Sequence, residues 1–138
     1  MTRNERGSIT VWMVTASFAM MMLVGLAVDL GGQVHAQQRA RNIAAQAARV
    51  GGQEVQAPPA VQGTYLAISA TPARAAAEQY LAASGVDGTV TITGGNTITV
   101  RVSDSYQPRF LTILGINRLD VTGTATARIV RTLGGTEE

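Results

Sequence analysis

Between Gly7 and Val28 the chain carries no charged side chain, and sixteen of the twenty residues from Ile9 to Val28 are apolar. At ~1.5 Å per residue, a helix of that length crosses the ~30 Å hydrocarbon layer of a bilayer. Residues 31–138 are too few to wrap so long an apolar cylinder on every side, which argues against the buried helix of a soluble core. Trp12 is expected at one membrane interface, and Asp29 marks the boundary at the other. A cleaved secretory signal ending at Val34-His35-Ala36 competes for the same stretch. Its apolar region would run only ~7 to 15 residues, however, and Asp29 intervenes before the cleavage site, so a retained anchor is expected. With a short flank holding Arg3 and Arg6 before the span and a long polar remainder after it, the expected topology is single-pass in the cytoplasmic membrane, tail inside and body outside.

Helical character resumes after Gly31-Gly32 and runs to Val50 without proline, and Gly51-Gly52 reads as its stop. Ala36, Ala40, Ile43, Ala47 and Val50 recur at four-three spacing and share one face. Small side chains allow close approach, so this stripe is expected to be a helix-packing interface with a partner chain. An alanine-rich helix that needs no partner, or that packs on its own sheet, is the alternative. The resulting organisation is a cytoplasmic tail (1–8), a transmembrane helix (9–30), an extracytoplasmic helical extension (31–52), a linker with Pro58-Pro59 (53–70) and a small α+β body (71–138).

In the body, Thr71 and Pro72 open a helix that ends before Gly85. Thr89 to Thr93 and Thr97 to Ser103 alternate as strands around the hairpin signal Gly94-Gly95-Asn96, and Leu119 to Thr132 alternates again. The expectation is one helix on a three-stranded antiparallel sheet, with Gly123, Ala125 and Ala127 admitting the Pro72 helix and the whole folding independently of the anchor. Thr91, Thr93, Thr97, Thr99, Thr122, Thr124 and Thr126 form the outer sheet face, a solvated surface by default. Phe110, Leu111, Ile113 and Leu114 form an apolar run that either plugs an open end of the core or makes a partner patch.

The composition removes several classes of function. Without cysteine there are no disulfides, thiolate metal sites or cysteine nucleophiles, and the single His35 cannot build a histidine metal site, so neither metal nor cofactor is expected. Eleven arginines against nine acids leave a net charge of +2, dispersed along the chain, which does not make a nucleic-acid groove. Glu54, Glu78, Asp87, Asp104 and Asp120 stand in no catalytic motif, so no enzyme and no small-molecule substrate are expected.

Arg6-Gly7-Ser8, the apolar span, the run Gly25-Leu26-Ala27-Val28-Asp29-Leu30-Gly31 and the alanine-rich helix to Ala48 resemble the amino-terminal region of TadE/TadG-like proteins of the tight-adherence (Flp-type) pilus and secretion machinery. Val100-Arg101-Val102, Pro108-Arg109-Phe110-Leu111, Leu114-Gly115-Ile116 and Val121 to Ala127 resemble that family's ending. The resemblance implies a membrane-anchored, pseudopilin-like structural component, with other pilus or secretion-system proteins, or family members at the alanine seam, as partners. Processed pilin-like members carry a glutamate five residues after the cleaved glycine; here that position is Trp12, which points to the TadG-like side with a retained tail. The competing class is a single-pass exported protein, unrelated to a pilus, that binds a surface through its threonine face or the Phe110 segment.

Overall fold

Gly31-Gly32 does not interrupt the first helix. In the computed structural model, α1 (Arg6–Glu54) is one continuous helix of 49 residues, which at 1.5 Å per residue makes it about 73 Å long. Residues 6–54, 70–95, 97–128, 132–133 and 136–137 are described; most of the expected linker, Ile129 and Asn96 lie outside them. After α1 come α2 (Ala70–Ala83), β1 (Asp87–Thr93), β2 (Thr97–Tyr106) and β3 (Leu119–Arg128). A two-stranded ribbon pairs Thr132–Leu133 with Thr136–Glu137. The α+β class and the three-stranded antiparallel sheet expected from the alternation are both present, in the order β1-β2-β3.

The first half of α1 is apolar on all sides and packs against almost nothing: Trp12, Phe18 and Leu23 are 72%, 63% and 67% exposed. The helix is long and apolar enough to cross a membrane. Its second half differs, because Ala40, Ala44, Ala47 and Ala48 are buried in a core with Ala73, Ala77 and Leu81 of α2 and Ile98, Val100 and Val102 of the sheet. The inward rows follow from register: Val90, Val100 and Ala125 lie abreast, as do Ile92, Ile98 and Ala127. Burying each of the larger aliphatic side chains stabilises by about 1.5–3 kcal/mol relative to exposure.

Which helix covers which strand departs from expectation. Gly123 is met by α1, and a Cβ there would overlap the backbone of Ala40 and Arg41; α2 lies instead along β1. The reason is steric, since the long helix can cross β3 this closely only where the strand has no side chain and the helix brings the small Ala40. Gly51-Gly52 likewise does not end α1, which continues to Glu54 while the Gly51 face packs on α2: a Cβ on Gly51 would lie 2.8 Å from the Ala73 carbonyl oxygen. α2 ends as expected, with Gly85 at φ 66° and the Val86 amide donating back to the Leu81 carbonyl at 3.4 Å. The body is therefore two helices on a sheet, with α1 supplying a large part of the core.

Candidate functional site

Gly25, Asp29 and Gly32 follow at spacings of four and three, which aligns them on one face of α1. On that face the carboxylate stands between two positions stripped of side chains. The twelve residues joining β2 to β3, 107–118, lie down in this notch. The Tyr106 ring covers Gly32, where a Cβ would collide with it, and the Phe110 ring covers Gly25, where a Cβ would come within 2.7 Å of Phe110 Cδ1.

Between those two rings, Asp29 accepts three successive backbone hydrogen bonds. The Arg109 amide donates to Oδ1 at 2.7 Å, and the Phe110 and Leu111 amides donate to Oδ2 at 2.8 and 2.7 Å. The Tyr106 hydroxyl is directed at the same carboxylate. These amides open a 3-10 turn, Leu111–Leu114, whose own Phe110 supplies no side-chain cap; Asp29 caps it from another element. Amides that converge on one acceptor form an anion-binding concavity, and bonds to an ionised carboxylate are stronger than neutral ones. Asp29 is 0% exposed. A buried charge needs such compensation, and here three main-chain donors supply it together with the Tyr106 hydroxyl, so neither oxygen is free to act as a base.

The other expected site residues fall as follows. Trp12 is exposed near the amino-terminal end of the span, and Asp29, expected to mark its other boundary, is sealed beneath the loop. Within the alanine stripe, Ala40 and Ala47 are fully buried by this chain's own sheet and α2, and Ala36, Ile43 and Val50 are partly covered. The seam expected to receive a partner's helix is thus filled from within the chain at its centre. Nor does the Phe110 segment plug the core: Phe110, Ile113 and Leu114 remain 40%, 80% and 62% exposed, with Leu111 half-buried. Its residues are held by Asp29, and their apolar side chains point away from the sheet's interior.

At the same end of the sheet as this loop, Asp87, Ser103, Asp104, Arg118 and Asp120 border an open groove. Arg118 Nε meets Asp120 Oδ1 at 2.7 Å with both side chains exposed, a pair worth little in water. Among the described residues no group of three or more His, Asp or Glu side chains is placed to hold a metal. On the outer sheet face, Thr99 and Thr126 stand in register with their hydroxyls 3.4 Å apart.

Residues 7–54, the helix that carries Gly25, Asp29 and Gly32, match the Tad family of Flp pilus-assembly, TadE/G-like proteins. Over that stretch the chain is similar to TadE/G-like proteins. No curated protein and no solved structure matches the chain. The TadE/G-like match ends where α1 ends, so the loop that grips Asp29 belongs to the part of the chain beyond it. Sequence reasoning treated Asp29 as a boundary marker and missed its role as a clamp. A signal was available: one carboxylate closing an uncharged span of a TadE/G-like helix, with glycine four residues before and three after on the same face.

Proposed function

We propose that this chain is a membrane-anchored, pseudopilin-like structural component of a Flp-type pilus assembly and secretion machinery, acting by packing and not by catalysis. The observation that carries the proposal is the coincidence of the TadE/G-like match with one uninterrupted helix. That helix is bare and apolar in its first half and built into a small domain in its second. Such a helix ties a body rigidly to a membrane. The Asp29 clamp adds a second tie at the level where the bare half ends, so force on the body is passed to the anchor through two connections. A carboxylate spent on three main-chain donors serves a lock better than a reaction.

In this proposal the amino-terminal tail stays in the cytoplasm and is retained, Trp12 replacing the acid that processing would use, and residues beyond Gly32 are on the extracytoplasmic side of the cytoplasmic membrane. Protease added to intact spheroplasts should cut the body and leave the tail. Protection of the carboxy-terminal half would overturn the orientation, and a mature chain beginning at Ser8 by intact-mass measurement would overturn retention. Partner identity is tested by crosslinking in native membranes followed by mass spectrometry: pilus-assembly proteins are expected among the adducts. If the chain is recovered without them and its deletion leaves surface pili intact, it is instead an exported single-pass protein that binds a surface through its threonine face.

A further inference from the structure

The β2–β3 loop lays an apolar tip beside the end of the span. From Tyr106 against Gly32 to Phe110 against Gly25, the loop descends α1 toward its amino terminus, a distance of about 10 Å for seven residues of helix. Phe110 therefore sits one helical turn inside the boundary that Asp29 marks, at the level of Leu26, which is exposed. Beyond it, Ile113, Leu114 and Ile116 are 80%, 62% and 41% exposed. None of the described residues covers them, and the turn that carries Ile113 and Leu114 lies against α1, whose Leu26 and Met22 are exposed.

The main chain of this loop has a second property. The amides of Arg109, Phe110 and Leu111 donate to Asp29. Those of Ile113, Gly115 and Ile116 donate to the carbonyls of Phe110, Thr112 and Leu111, and the Thr112 hydroxyl donates to the Arg109 carbonyl. These amides are thus satisfied within the protein. That lowers the cost of placing this turn next to hydrocarbon, where lipid offers no hydrogen-bond partner.

We infer that residues 110–116 are a membrane-dipping wedge: the body rests on the bilayer surface with Phe110, Ile113 and Leu114 inserted into the acyl region of the leaflet that α1 leaves, and Asp29 fastens the wedge to the anchor. Arg109, exposed and next to the clamp, stands at the height of the headgroup phosphates. This inference rests on α1 being a membrane anchor, and the test separates the two.

Trp12 is the only tryptophan of the chain, so full-length protein in vesicles of phosphatidylcholine and phosphatidylglycerol, doped with doxyl-labelled phosphatidylcholine, reports the anchor directly. The same protein carrying Trp12→Phe with Ile113→Trp, and separately Trp12→Phe with Leu114→Trp, reports the wedge. Both loop tryptophans are expected to lose emission to the doxyl lipid as Trp12 does and to be shielded from aqueous iodide, while Trp12→Phe with Thr124→Trp, on the outer sheet face, is quenched by iodide alone. Iodide quenching of both loop reporters, with Trp12 still quenched by lipid, overturns the wedge and leaves the anchor standing. Shielding from both quenchers overturns it in favour of a protein partner, a second copy included. Loss of lipid quenching at Trp12 itself overturns both readings.

Discussion

The Leu111 amide donates to the Asp29 carboxylate at 2.7 Å across 82 positions of sequence, and with the Arg109 and Phe110 amides it fastens a surface loop to the long helix at the end of its apolar half. Removing the acceptor should therefore free the loop while leaving the sheet intact. In Asp29→Ala, the amides of residues 109–111 are expected to exchange with deuterium at least about tenfold faster. Asp29→Asn, which keeps one carbonyl acceptor but turns an amide group toward donors, should fall between. Unchanged exchange at those amides in Asp29→Ala would show that the loop is held by Phe110 and Tyr106 packing alone.

Two glycine substitutions are expected to act with opposite sign. A Cβ at Gly123 meets the backbone of Ala40 and Arg41, which has no flexible end to swing aside. Gly123→Ala should destabilise the fold by about 1–3 kcal/mol. Gly31 has nothing within 4 Å of its would-be Cβ, so Gly31→Ala should stabilise by about 0.5–1 kcal/mol through helix propensity. Urea unfolding in detergent micelles measures both. A harmless Gly123→Ala would mean that α1 and β3 do not cross so closely.

Ala40 is fully buried where α1 crosses β3. Ala40→Trp is accordingly expected to unfold the body of a single chain, at a cost of about 3 kcal/mol or more. The same unfolding series checks it. Undiminished stability together with lost crosslinking to a partner would return the alanine stripe to an intermolecular role.

The body is not expected to fold without α1, because Leu81, Val90, Ile98 and Val100 share one core with Ala40, Ala44, Ala47 and Ala48. A fragment of residues 71–138 should show no cooperative thermal transition, whereas residues 33–138, which keep the packed half of α1, should show one. Near-ultraviolet circular dichroism reads the difference. A cooperative transition in the shorter fragment would mean that α2 and the sheet bury enough apolar surface by themselves.

The local elements were legible in the sequence because each depends on a short period. The uncharged run from Gly7 to Val28 specifies a membrane-length helix, the alternation through Val90, Ile98, Val100 and Val121 specifies strands with those residues inward, and Gly85 specifies the end of α2. Gly51-Gly52 misled as a helix stop, and Gly31-Gly32 left open whether the anchor and its extension are one unbroken helix. Glycine lowers helix propensity locally, but here it lets Tyr106 and α2 pack onto the helix, and that packing outweighs the propensity.

What remained open was decided by tertiary contacts between residues with no short-range relation. The alanine stripe is compatible with any close-packed surface, and only the crossing at Gly123 makes it this chain's own core. Asp29 reads in the sequence as a charge that ends an apolar span. Its partners are main-chain amides, which every residue carries and no side-chain pattern advertises, so three donors from Arg109 to Leu111 turned it into the clamp only once the β2–β3 connection folded back onto α1.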